Sequence, residues 1–224
     1  MRLSILNLIF SGIITAVFVV FIFARWQSKN EKIKILNNEI LITQTKINSL
    51  EEQGNRALTY VRIHRGLDVM AGRRLSNAQK NILTERLFDI SVDYKIDPIL
   101  ILAVIKHESR GDPNARGAFF SGAESGALGL MQIKYGSALE VARSVGVRLH
   151  SSEDLFDPEI NLMVGTAYLL RLIAKYQNLQ HALIAYNVGL GTLDGKLKSG
   201  AALPTRYYNR VMQEYQFLVE RIFE

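Results

Sequence analysis

Hydrophobic positions fall into three regimes along the chain. Leu3 to Ala24 is a run of 22 residues without a charge, relieved only by Ser4, Asn7, Ser11, Gly12 and Thr15. As a helix it spans about 33 Å, enough for the hydrocarbon core of a bilayer. Arg25 and Trp26 follow at the interfacial level. Ile22-Phe23-Ala24 is a poor small-x-small cleavage site and the apolar run is long for a signal peptide, so an uncleaved anchor is expected. Between Asn30 and Gln53 the pattern changes: Ile33, Ile40 and Ile47 alternate with Leu36, Thr43 and Leu50 at heptad spacing. Three heptads are near the minimum for a coiled coil. They fit a stalk that pairs two copies, and equally a lone helix lying on the domain. Gly54, Gly66 and Gly72 then punctuate a basic connector.

From Ser76 onward the pattern is that of a mainly α domain. Ser76 and Gln79 form a capping-box pair for a helix running to about Tyr94. Asp97-Pro98 and Asp157-Pro158 each place an N-cap acceptor before a proline at the first helical position. Helices are predicted over 98–109, 134–145, 158–176, 179–188 and 205–223. No long alternating run suggests a sheet. The expected organisation is an anchor over 1–26, a coiled-coil stalk and connector over 27–75, and a catalytic domain over 76–224.

Composition narrows the chemistry. The chain has no cysteine, which removes disulfides, thiolate nucleophiles, cysteine-bound zinc and lipidated cysteine. His64, His107, His150 and His181 show no metal-ligand spacing, and neither a metal nor an organic cofactor is expected. The net charge of +6 is confined to the N-terminal third. Residues 1–74 carry 11 Lys/Arg against 5 Asp/Glu, whereas residues 75–224 carry 16 of each. A charge-balanced main domain argues against nucleic acid as a partner.

The residue that stands out is Glu108. It lies on one helical stripe with Ile101, Val104 and Ile105. A carboxyl on an apolar stripe is an exposed helix-end residue, half of an ion pair, or a working acid whose pKa burial raises. Ser109 beside it offers a hydroxyl or an ordinary helix-end cap. In Gly129-Leu130-Met131-Gln132-Ile133, Gln132 carries an amide suited to sugar hydroxyls and N-acetyl groups, or to bracing the turn. Gly129 allows close backbone approach at the groove, and Met131 reads as groove wall or core. Ala185-Tyr186-Asn187 offers a ring for sugar stacking, a hydroxyl and an amide, with Gly189 as a C-cap just beyond. His107 points about 100° away from Glu108 around the helix and reads as a surface residue.

Taken in order, Glu108-Ser109, Ser125-Gly126-Ala127, Gly129-Leu130-Met131-Gln132-Ile133, Asp157 to Leu162 and Ala185-Tyr186-Asn187 resemble the signature of soluble-type lytic transglycosylases. That family is glycoside hydrolase family 23, the SLT domain, whose fold is similar to goose-type lysozyme. The resemblance implies a peptidoglycan lytic transglycosylase cleaving the β-1,4 bond between N-acetylmuramic acid and N-acetylglucosamine. Glu108 would act as acid and then base, and the product would end in a 1,6-anhydro ring. It also implies substrate contacts at Ser109, Gly129, Met131, Gln132, Tyr186 and Asn187. A tyrosine of Thr205-Arg206-Tyr207-Tyr208 would hold the acid, with Tyr208 the better positional match. Pro204 stands where the family usually carries a glutamate. The stretch from Arg110 to Leu128, with Phe119-Phe120, is longer than the family norm and reads as a lid, an extra groove wall or a disordered loop.

Two rivals follow. One is a same-fold lysozyme, which needs a second carboxylate such as Asp112, Glu124 or Asp157 to activate water. The other is a catalytically idle scaffold binding glycan or a secretion-machinery partner. Topology pulls in two directions. Arg2 alone precedes the apolar run while Arg25, Lys29, Lys32 and Lys34 follow it, which favours an inside location for the domain. Peptidoglycan lies outside, so the expected placement is single-pass in the inner (cytoplasmic) membrane with the catalytic domain on the periplasmic side.

Overall fold

The computed structural model describes residues 2–118 and 122–223. The Phe119-Phe120 pair lies outside them. The chain divides into two compact units, Met1–Arg56 and Ala57–Glu224. The first unit consists of the greater part of helix α1 (Arg2–Ala71). Its apolar residues, including Phe10, Ile13, Val17, Phe18 and Phe21, are more than half exposed. The helix is long and apolar enough to cross a membrane. The heptad residues Ile33, Leu36, Ile40, Ile47 and Leu50 are exposed along the same helix.

The second unit is mainly helical, as expected: α2 (Asn77–Tyr94), α3 (Pro98–Glu108), α4 (Tyr135–Ala142), α5 (Pro158–Tyr176), α6 (Leu179–Val188), α7 (Leu190–Ser199) and α8 (Arg206–Phe223). Ser76 and Gln79 close the capping box of α2 reciprocally. Asp97 and Asp157 each accept backbone N–H groups at the starts of α3 and α5. Three short antiparallel strands were not expected: β1 (Arg116–Ala118), β2 (Glu124–Leu128) and β3 (Ile133–Lys134), in that order. They pair Arg116 with Leu128 and Leu128 with Ile133, and an irregularity interrupts the β1–β2 register. Strands this short and rich in small residues carry no alternating signature. α7 was also missed, because it starts from Gly189 with no side-chain cap and holds Gly191 and Gly195.

α3 is the core element. All its residues from Pro98 to Ile105 are buried, and α8 packs along it in antiparallel fashion. The Tyr215 hydroxyl donates to Asp97 Oδ2 at 2.6 Å at one end, and Lys106 pairs with Glu214 at 2.6 Å toward the other.

The compact unit begins at Ala57, not at Ser76. Ile63, Leu67, Met70, Ala71 and Leu75 are buried in the same cluster as α3 and α8, so the segment read as a connector is core. Gly54 and Gly66 do not interrupt α1. At Gly66 a Cβ would stand 2.6 Å from the Leu102 side chain and 3.3 Å from Ile222, so glycine lets α1 press against both. α1 stops at Gly72, whose φ of +55° lies in the left-handed region.

Burial of large apolar side chains contributes roughly 1.5–3 kcal/mol each. Losing the four large side chains of Ile63, Leu67, Met70 and Leu75 therefore forfeits roughly 6–12 kcal/mol, comparable to the whole stability of a domain. A fragment of residues 57–224 is expected to unfold cooperatively in urea, and one of residues 76–224 to show no cooperative transition. Equal midpoints for the two would contradict the boundary at Ala57.

Candidate active site

The cooperating side chains come from α3, the β2–β3 turn and α6. α3 delivers Glu108 in its last turn and Ser109 as its C-cap. The Ser109 hydroxyl donates to the Leu130 carbonyl at 2.8 Å and accepts from the Gly111 N–H at 3.1 Å. It therefore ties the end of α3 to the glycine-led segment. That segment is tight: Gly129 has φ +73° and Gln132 has φ +47°.

Asn161 on α5 holds the turn from behind. Fully buried, it donates through Nδ2 to the carbonyls of Leu128 (2.9 Å) and Leu155 (2.7 Å) and accepts the Met131 N–H at 2.8 Å. A Cβ on Gly129 would stand 2.2 Å from Asn161 Nδ2 and from the Leu155 carbonyl. The close approach at Gly129 is thus to Asn161, not to the groove.

A cleft of about 710 Å³ opens over this frame, lined by Glu108, Ser109, Gln132, Tyr186 and Asn187 together with both β1 and β3. Its described lining does not include Gly129, Met131 or Tyr208. Met131 is completely buried and packs in the core; its carbonyl accepts the Tyr186 hydroxyl at 2.8 Å. Tyr208 is a partly buried packing residue. Gln132 donates both amide hydrogens, to the Ala115 and Gly129 carbonyls at 2.9 Å each. It braces the turn and leaves its carbonyl oxygen as the free acceptor. Asn187 is exposed in the cleft.

Tyr207, not Tyr208, holds the acid. Its hydroxyl donates to Glu108 Oε1 at 2.5 Å. Tyr207 shares the buried α8 stripe of Val211, Leu218 and Ile222, whereas Tyr208 sits about 100° away. That spacing was visible in the sequence and points to Tyr207. His107 is not a surface residue either. It is half-buried with its ring edge-on to Tyr207 at 5.0 Å between centroids, and burial lowers its pKa.

Burial pushes the Glu108 carboxyl up to about 7, against a smaller opposing effect of the Tyr207 hydrogen bond. Burial and then the nearby Glu108 raise the Tyr186 and Tyr207 hydroxyls well above the usual phenol range, keeping them protonated as donors. Among the described residues lining the cleft, Glu108 is the only carboxyl. The other three candidate acids are not among the described lining residues: Asp112 accepts the Asn114 N–H at 2.9 Å, Asp157 caps α5, and Glu124 is exposed on β2.

A family model for the transglycosylase SLT domain matches residues 87–209. The chain belongs to this family. The matched span of the SLT domain runs from α2 into α8 and contains Glu108, Asn161 and Tyr207. Among curated relatives, the chain is 38% identical over 90 residues to membrane-bound lytic murein transglycosylase E of Buchnera aphidicola, covering 39% of this chain and 38% of that one. It is 39% identical over 108 residues to endo-type membrane-bound lytic murein transglycosylase A of Salmonella paratyphi B, covering 44% of this chain and 50% of the relative. The match thus spans half or less of either relative's length. Among solved structures, an inactive mutant of lytic transglycosylase Slt from Pseudomonas aeruginosa shares 26% identity over 60% of this chain and 22% of its own, with a TM-score of 0.44. The 70 kDa soluble lytic transglycosylase from Escherichia coli shares 21% identity over 64% and 24%, with a TM-score of 0.43.

The raised pKa of Glu108 bears on stability. A carboxyl at about 7 in the fold and about 4.5 when unfolded costs nothing below pH 4.5. The cost grows between those values and reaches about 3 kcal/mol above pH 7. Glu108→Gln removes the charge but keeps an acceptor for Tyr207. The variant is expected to melt at the same temperature as the parent at pH 4 and several degrees higher at pH 8. Equal melting at pH 8 would mean that Glu108 is not a buried acid.

Proposed function

We propose that this chain is a membrane-anchored peptidoglycan lytic transglycosylase. One observation carries the reading: among the described residues a single carboxyl lines the cleft, raised by burial to about 7 and aimed by Tyr207. Such a group can serve as acid and base in turn. Glu108 gives its proton to the glycosidic oxygen, which leaves as the 4-hydroxyl of N-acetylglucosamine. The substrate's own acetamido oxygen supports the muramyl C1 meanwhile. The Glu108 carboxylate then takes the proton of the muramyl 6-hydroxyl as that oxygen closes on C1. Water is neither consumed nor produced, and the acid returns to its starting state. An inverting hydrolase needs a second carboxyl about 6.5–9.5 Å from the first, so the lone carboxyl favours the transglycosylase over the lysozyme. Gln132, Tyr186 and Asn187 are the proposed sugar contacts, with Ser109 supporting the cleft end of α3.

Membrane attachment is proposed through Leu3–Ala24, in the inner membrane, with the catalytic unit exported to the wall. The exposed heptad stripe from Ile33 to Leu50 supports pairing of two copies through α1.

Four outcomes check these statements. Glu108→Gln is expected to lose turnover on isolated sacculi by at least about a thousandfold, while still sedimenting with them. Mass analysis of the fragments released by the parent should show 1,6-anhydro-N-acetylmuramic ends; ordinary reducing ends would install the lysozyme reading instead. As a proton donor Glu108 must be protonated in the free enzyme, so kcat/KM should fall as pH rises through about 7. Tyr207→Phe removes the bond that opposes burial and should move that fall to higher pH.

Topology has its own test. Protease added to spheroplasts should digest the catalytic unit without lysis. Complete protection until lysis would place Glu108 on the wrong side of the membrane for peptidoglycan and favour the scaffold reading.

A further inference from the structure

Beside the catalytic cleft lies a second cavity of about 540 Å³, lined by His107, Asn187, Pro204, Arg206, Tyr207 and Arg210. His107 and Asn187 also line the cleft, so the two spaces adjoin at these two residues, and Tyr207, which lines the second, holds the acid that lines the first. Arg206 and Arg210 stand one turn apart on α8 and are exposed. Neither has a hydrogen-bond or ion-pair partner among the described residues. Glu214, one turn further on, is taken by Lys106 at 2.6 Å. No acidic residue lines the cavity among the described residues. Pro204 contributes an apolar ring to the same cavity.

Two exposed guanidiniums without a hydrogen-bond or ion-pair partner among the described residues, lining one cavity with a half-buried imidazole and an amide, suit a carboxylate. The glycan backbone offers few anions. In peptidoglycan the carboxylates belong chiefly to the peptide that branches from the lactyl group of each muramic acid, and that branch leaves the ring close to the bond being cut. We propose that this cavity receives a carboxylate of the muramyl peptide, with Arg206 and Arg210 as its recognition residues. The proposal rests on the transglycosylase reading for the identity of the substrate. Under it, the enzyme senses whether the sugar at the acid carries a peptide, and strands stripped of peptide bind less tightly.

The test measures binding, so that it does not depend on turnover. Fluorescently labelled glycan oligomers, either bearing their peptides or stripped by an amidase, are titrated into the full chain in detergent, with Glu108→Gln as background to prevent cleavage. Each partly exposed guanidinium–carboxylate contact changes affinity about threefold, and the pair about tenfold. Peptide-bearing oligomers are expected to bind about tenfold more tightly than stripped ones. Adding Arg206→Gln and Arg210→Gln should erase that preference by weakening only the peptide-bearing complex. Arg206→Lys with Arg210→Lys should restore part of it. Three results would each overturn the proposal: no preference in the background chain, a preference that survives the double substitution, or an equal loss on both oligomers. The last would assign the arginines to the glycan itself. Turnover of the same oligomers by the unaltered chain is scored separately. A chain that binds with the expected preference yet cleaves nothing refutes the catalytic reading and leaves the cavity's role standing.

Discussion

The cleft depends on one buried amide. Asn161 uses both of its N–H groups on backbone carbonyls and accepts a backbone N–H through its oxygen. The three partners lie at the end of β2, in the helical turn Ser152–Phe156 before α5, and in the β2–β3 turn. In a low-dielectric interior such bonds are strong, and any one left unmade is costly. The β2–β3 turn therefore has one conformation available to it. From that turn follow the left-handed Gln132, the Leu130 carbonyl that receives Ser109, and the Met131 carbonyl that receives Tyr186. What looks like a set of sugar-binding side chains is in large part a set of braces. Of the side chains that the sequence singled out, those left with polar groups facing the cleft are Glu108, the exposed Asn187 and, through one oxygen, Gln132; Arg110, Arg116 and Lys134 add basic groups to its lining.

Glu108 illustrates a contest between two effects of opposite sign. The apolar surface of α3 and its neighbours penalises the charged form, and the Tyr207 hydroxyl favours it. Burial is the stronger, and the outcome lies at neutrality. Without Tyr207 the carboxyl would give up its proton less readily, and without burial it would be ionised at neutral pH and a weaker base. The acid-then-base role proposed for Glu108 calls on both influences in one group.

Much of this was legible in the sequence, for reasons that differ between elements. The starts of α2, α3 and α5 are written in local chemistry, by Ser76 with Gln79, by Asp97-Pro98 and by Asp157-Pro158. The acid was legible because a charge on an apolar stripe is conspicuous. The β-sheet and α7 were not, since short glycine-rich elements are held by tertiary contacts, not by propensity. The segment 57–75 was misjudged for another reason. Its stripe of Ile63, Leu67 and Met70 is regular, but Arg62, His64 and Arg65 interleave with it and give the stretch a basic, polar look. Likewise Asn161 shows no local signal, because the meaning of a buried amide depends on carbonyls some thirty residues away. Motif position also favoured Tyr208 over Tyr207, where the helical stripe of α8 pointed the other way.

The contact between Tyr207 and Glu108 joins residues 99 positions apart. A ribosome adding about 5–20 residues per second makes the acid roughly 5–20 s before the helix that aims it. During that interval α3 also lacks the α8 surface that buries its last turn, so the Glu108 carboxyl has the acidity of an ordinary exposed glutamate. Neither half of its double role is then in place. The order in which the chain is made thus withholds the chemistry until α8 has docked, a built-in delay that needs no inhibitor.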